Sequence, residues 1–131
     1  MTNQEIYDKV CDHFAKQGRQ SVDAVDNACM LRGDNGTSCA VGCLIADEDY
    51  DPKMEMRMGN GVGMFFDDYP DVAKKIGNTK ENIELLDALQ TAHDFAKNRD
   101  NIVGRLMEIA YRFGLTNGPE QAIVKWDTTE Q

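Results

Sequence analysis

The sequence predicts a mainly α-helical single domain carrying one small β-hairpin, so α+β only in a narrow sense, and compact around a short buried helix. Three observations lead there. The chain has 131 residues, of which 41% are apolar, which suits one domain with one continuous core. Apolar residues recur at helical spacing in long stretches that open with capping residues and close on glycine. A single Asn35-Gly36 pair stands between two short stretches of strand character, the pattern of a tight hairpin.

Taken in order, Thr2 and Glu5 have the spacing of a capping box, and Ile6, Val10 and Phe14 repeat every four residues beside Tyr7 and Cys11. A helix is expected from Asn3 to about Gln17, stopped by Gly18. The chain is then polar to Asn27. Ala28 to Arg32 reads as a strand, Gly33 to Gly36 as the turn, and Thr37-Ser38 as the return. Thr37 or Ser38 would cap a short helix through Cys39-Ala40-Val41-Gly42-Cys43-Leu44-Ile45-Ala46, apolar all round and therefore buried. Asp51-Pro52 opens another short segment, the glycines at 59, 61 and 63 mark a flexible break, and Met64-Phe65-Phe66 must be core or contact surface.

Pro70 starts a helix to about Ile76, ended by Gly77. Asn78 and Glu81 suggest a second capping box ahead of the stripe Leu85, Leu86, Leu89, Ala92, His93 and Ala96, in a helix ending near Lys97. Asp100 is expected to cap the last long helix, with Ile102, Val103, Leu106, Ile109, Ala110 and Phe113 on one face before Gly114, and these two helices should pair antiparallel. The domain is expected to span residues 1–115. Residues 116–131 read as an appendage that carries Trp126 to the surface, with the last five residues frayed.

Charge is unevenly placed. The formal net charge is -9, and between Asp47 and Asp71 eight carboxylates (Asp47, Glu48, Asp49, Asp51, Glu55, Asp67, Asp68 and Asp71) face only Lys53 and Arg57, a local net of -6. Such a surface repels phosphate backbones, so direct binding of DNA or RNA is not expected, whereas a basic protein surface would be attracted. Apolar runs fall short of the ~18 residues a membrane span needs, and the N-terminus has no basic region followed by an apolar one. The four cysteines read as free thiols, which places the chain in a reducing cytoplasm.

Several constellations bear on chemistry. Cys39 at a helix start, with His93 as its base and Asp94 beside it, would make a cysteine-dependent enzyme. Asp94, however, directly follows His93, so on a helix it points about 100° away and is poorly placed to orient that ring. Cys29, Cys39 and Cys43, with Cys11 and His13, supply soft ligands but lack a Cys-x2-Cys knuckle, so no metal or other cofactor is assigned. An EF-hand is excluded because Pro52 and Met58 occupy positions that need glycine and glutamate. The glycine run lacks the Lys-Ser/Thr of a phosphate loop. Met54, Met56, Met58 and Met64 serve either as an adaptable contact surface or as core filling. Arg32 either pairs with a nearby carboxylate or offers a fork to a small anionic nucleotide or signal.

The segments Cys29-Met30-Leu31-Arg32-Gly33, Asn35-Gly36, Cys39 to Ile45, Asp47-Glu48, Tyr50-Asp51-Pro52 and Met54-Glu55 resemble a group of small phage and prophage proteins of unassigned function. Leu89-Gln90, His93-Asp94 and Arg112 to Leu115 add to the likeness, and the Cys-Ala-x-Gly core is more distantly similar to small actinobacterial and phage domains. The chain departs from the first pattern at Ala46, where proline is expected, and at Met56, where glycine is. The resemblance implies a phage-type accessory protein acting in a host bacterial cytoplasm. Joined to the charge pattern, it suggests a non-enzymatic binder or inhibitor of a host or defence component, with the cysteine enzyme and the anion-sequestering protein as alternatives.

Overall fold

The computed structural model describes residues 1–127; the end of the tail expected to fray, 128–131, lies outside the described residues. The fold is mainly helical, with α1 (Asn3–Gln17), α2 (Met54–Met58), α3 (Val62–Asp68), α4 (Pro70–Ile76), α5 (Lys80–Asp94) and α6 (Arg99–Arg112). One apolar core collects side chains from all six helices and from the loops between them.

The first helix follows its sequence signals closely. Thr2 Oγ1 accepts from the Glu5 amide at 3.2 Å and Glu5 Oε1 accepts from the Thr2 amide at 3.0 Å, which holds the Glu5 carboxyl below its ordinary range. Such a cap stabilises a helix by about 1 kcal/mol. Gly18 closes it in the left-handed conformation, φ 66°. Ile6, Tyr7, Val10, Cys11 and Phe14 are wholly buried.

Residues 19–53 contain turns and isolated bridges but no sheet, so the expected hairpin is corrected. The reversal itself forms where Asn35-Gly36 predicts it, with both residues at positive φ (60° and 72°). Its arms share a single antiparallel bridge, Arg32 to Ser38. The ladder stops because the amides of Leu31 and Arg32 donate to Glu55 at 2.8 and 3.0 Å, and because the chain winds into a turn at Cys39. The α-helix expected through Cys39 to Ala46 is likewise corrected: only a 3-10 turn at Gly42–Leu44 forms, and Ile45 is extended. The predicted burial holds, since Cys39, Ala40, Val41 and Ile45 all belong to the core.

Two caps lie one or two residues from where the sequence suggests them. Thr79, not Asn78, caps α5, exchanging hydrogen bonds with Asn82, whose Nδ2 also donates to Asn3 Oδ1 at 2.6 Å and ties the starts of α5 and α1 together. Asn98, not Asp100, caps α6 through the Asn101 amide at 2.8 Å. The α5–α6 link is therefore Phe95 to Asn98, and α5 ends at Asp94 rather than Lys97. Phe65 and Phe66 enter the core while Met64 is exposed; Met54 is core, and Met56 is exposed.

Trp126 is corrected from surface to interior. It is 4% exposed and sits edge-on to Phe14 and His93, at ring separations of 5.2 and 6.1 Å. The residues after Leu115 run back along α1. Tyr7 Oη hydrogen-bonds Glu120 Oε2 at 2.7 Å, Arg99 Nε donates to the Ile123 carbonyl at 2.9 Å, and the Asp127 amide donates to the Gly18 carbonyl at 2.9 Å.

Gly42 is the position with least room. A Cβ there would stand 2.1 Å from the Leu31 carbonyl oxygen and 2.8 Å from its carbon, and backbone atoms cannot swing aside as a side chain can. Gly42→Ala should lower the unfolding free energy by about 3 kcal/mol or more, at the upper end of overpacking costs. Denaturant melts of the two proteins check this; a change under about 1 kcal/mol would contradict the close backbone approach.

Candidate functional site

Two places bring together the residues singled out by the sequence. The first is a cleft of about 250 Å³ lined by Cys29, Leu31, Cys39, Glu55, Met58, Gln90 and Asp94, among others. Its floor is organised by His93, which is wholly buried on the core face of α5. The Ser21 amide donates to His93 Nε2 at 2.9 Å. An amide N–H can only donate, so Nε2 carries the lone pair and Nδ1 carries the proton. That Nδ1–H reaches Asp94 Oδ1 at 2.8 Å.

The expectation that Asp94 is poorly placed to orient the ring is corrected by this contact. The 100° separation applies to the Cα–Cβ directions. His93 and Asp94 close α5, and at the helix end the two side chains turn toward each other. Gln90, one turn earlier, donates to the same Asp94 Oδ1 at 2.9 Å, and Gln20 Nε2 donates to the carbonyls of His93 and Asp94 at 3.0 and 3.1 Å.

Cys39 does not join this arrangement as a nucleophile. It is 1% exposed, its Sγ accepts from the Gly42 amide at 3.4 Å, and burial pushes its thiol up to about 12. Both ring nitrogens of His93 are occupied by Ser21 and Asp94, so the ring has no lone pair directed at Cys39. The thiol beside Asp94 is that of Cys29. Its sulfur, the His93 ring nitrogen and the Asp94 carboxylate offer ligand atoms within 4.8 Å of one another. Partial burial of the sulfur, helped by the neighbouring Asp94 carboxylate, pushes the Cys29 thiol up to about 12. Sequence reasoning missed Cys29, Ser21 and Gln90 as partners. The one readable signal was Gln90 lying three and four residues before His93 and Asp94, a spacing that shares a helix face.

The second place is a shallow hollow between the 47–54 segment and the α3–α4 junction. Glu48, Asp49, Asp51, Asp68 and Asp71 line it with Met54, Tyr69, Pro70 and Val72. Lys75 Nζ pairs with Asp49 at 2.8 Å, and Arg57 Nε stands 3.9 Å from Asp68. Among the described residues, Glu48, Asp51, Asp67 and Asp71 form no ion pair. Three of the sequence-predicted carboxylates lie elsewhere. Asp67 is exposed on α3 outside the hollow. Asp47 is paired with Arg32 Nη1 at 2.6 Å. Glu55 is turned inward, accepting from two backbone amides and from the Tyr50 hydroxyl at 2.6 Å.

Arg32 spends its second Nη on the Ile45 carbonyl at 2.6 Å, and its guanidinium lies 5.0 Å over the Tyr50 ring. Both ends of the fork are thus engaged within the chain. An exposed ion pair contributes about 0–1 kcal/mol, while each hydrogen bond to a charged group contributes about 1.5–3 kcal/mol. Glu55 therefore matters more to the fold than the Arg32–Asp47 pair does.

Thiol labelling tests this geometry. Cys29, the exposed thiol, should react first, slowly at neutral pH, and its rate should keep rising with pH toward about 12 rather than level off near the ordinary 9.0. Cys11 and Cys39 should stay unlabelled until the protein unfolds. Preferential labelling of Cys39 at neutral pH would restore the nucleophile reading. No protein-family model matches the chain, and no match is found among curated proteins or among solved structures.

Proposed function

We propose that the protein is a non-catalytic binding protein that engages a basic protein surface through the hollow lined by Glu48, Asp49, Asp51, Asp68 and Asp71. The observation that carries this reading is the convergence itself: carboxylates from two separate parts of the sequence, 48–51 and 68–71, line one depression. Chain segments that meet in this way concentrate negative potential far more than a run of charges along one strand of backbone. Glu48 and Asp71 are exposed, and Met54, Tyr69 and Val72 give the floor an apolar character that a partner side chain can cover.

The likeness to phage and prophage proteins suggests the setting, a host or defence component with a basic, nucleic-acid-handling surface. The protein's own charge makes it a mimic of the acidic ligand such a surface normally grips, which favours competition over chemistry. Nothing in this reading requires a cofactor or direct contact with nucleic acid. No helix among the described residues is long and apolar enough to cross a membrane.

The test is affinity capture from host lysate with three baits: the native chain, a hollow variant carrying Glu48→Gln, Asp51→Asn and Asp71→Asn, and a control carrying Glu81→Gln, Glu84→Gln and Glu108→Gln. The two variants lose the same net charge. A partner held by the native chain and the control, released by added salt and lost with the hollow variant, is the expected result. Equal loss by both variants would assign the attraction to net charge alone, and equal retention would show that the hollow is not used; either would refute a site there.

A further inference from the structure

The cleft beside the end of α5 has a donor set that the acidic hollow lacks. We propose that it is a binding site for a thiophilic divalent cation of the zinc and cadmium class, with the Cys29 sulfur and the Asp94 carboxylate as its protein ligands and water in the remaining positions.

Three observations support the assignment. First, the Cys29 sulfur and the Asp94 carboxylate, from residues far apart in sequence, lie within 4.8 Å of each other, with the His93 ring nitrogen beside them. Second, the carboxylate is positioned in advance. His93 Nδ1–H and Gln90 Nε2 both donate to the same oxygen, Oδ1, at 2.8 and 2.9 Å, and Asp94 lines the cleft. A ligating carboxylate held by hydrogen bonds from behind is the usual outer-sphere arrangement at metal centres. Third, the Cys29 sulfur favours a thiophilic ion over calcium or magnesium, which take oxygen ligands, and Cys39 and Met58 line the same space beside Glu55 and Gln90.

His93 is the positioning residue here and not a ligand. With Nε2 accepting from Ser21, its Nδ1 must keep a proton, and a metal at Nδ1 would require either an imidazolate or the loss of the Ser21 bond. Binding forms a Cys29 S–metal bond and a carboxylate–metal bond, breaks the Cys29 S–H bond and two metal–water bonds, and releases the thiol proton to solvent. Thiolate and carboxylate together neutralise the doubly charged ion. Cys29 is exposed, so the ion has a path in. This site shares no lining residue with the acidic hollow, so the two proposals stand or fall separately.

The experiment titrates cadmium chloride into the full chain, reduced and stripped of metal with chelator, and follows the ultraviolet thiolate-to-cadmium charge-transfer band, with native mass spectrometry for stoichiometry of cadmium and zinc. One equivalent per chain is expected. Cys29→Ser should abolish the band, Asp94→Asn should weaken binding at least tenfold, and Cys43→Ser should leave it unchanged. Circular dichroism confirms that each variant is folded; should Asp94→Asn unfold, Asp94→Glu takes its place and should retain the band with altered affinity. A band that survives Cys29→Ser, a stoichiometry that tracks the number of thiols, or no band with the native chain would overturn the proposal.

Discussion

The arrangement of this protein depends on the hydrogen bond from the Ser21 amide to His93 Nε2. Residues 19–32 have no ladder of their own, yet Ser21 and Val22 are buried, and a buried amide without a partner costs about 1–3 kcal/mol. His93 supplies that partner from α5, 72 residues along the chain. Ser21 then exchanges bonds with Met30 through both its hydroxyl, at 2.8 Å, and its carbonyl, at 3.0 Å. One ring thus holds an irregular loop against the helix, carries Cys29 to the cleft and fixes which nitrogen faces Asp94. Phe14 and Trp126 pack around the ring, so the polar contact is sealed from water, where hydrogen bonds are electrostatically strongest.

The negative stretch of the middle third divides between two tasks. Helix α2 shows the division within five residues: Met54 lines the acidic hollow, while Glu55 and Met58 line the cleft. Glu55 serves the fold by capping the Leu31 and Arg32 amides, which both ends the hairpin ladder and places Cys29 and Leu31 along the cleft wall. Asp47 neutralises Arg32. Of the remaining carboxylates Asp67 stands apart, and Glu48, Asp49, Asp51, Asp68 and Asp71 converge beside the Tyr69-Pro70 junction of α3 and α4.

What was legible in the sequence was local. The bounds of α1 and α4, the left-handed turn at Asn35-Gly36 and the apolar faces of α5 and α6 follow from signals a few residues wide, and the chain obeys them. Caps slipped by a residue or two because Asn78 and Thr79, or Asn98 and Asp100, carry equivalent chemistry, and packing chooses between them; the bond from Asn82 to Asn3 favours Thr79. What was not legible was long-range. A carboxylate 23 or 24 residues away takes the amides a hairpin ladder would need, and the close approach of the Leu31 carbonyl leaves room for no side chain at Gly42. Trp126 was misplaced because its partners, Phe14 and His93, belong to helices remote in sequence. Of the candidate site, His93 and Asp94 were visible; their link to each other and to Cys29 was hidden, since it needs the fold to bring the 19–32 loop to the end of α5.

The most direct test of this account is the protonation pattern of the His93 ring, read by nitrogen-15 NMR of ring-labelled protein at neutral pH. A proton on Nδ1, a bare Nε2 and a scalar coupling between Nε2 and the Ser21 amide are the result the geometry demands. A proton found on Nε2 would mean that Ser21 is not its donor, and both the anchoring of the loop and the presentation of Asp94 would have to be abandoned.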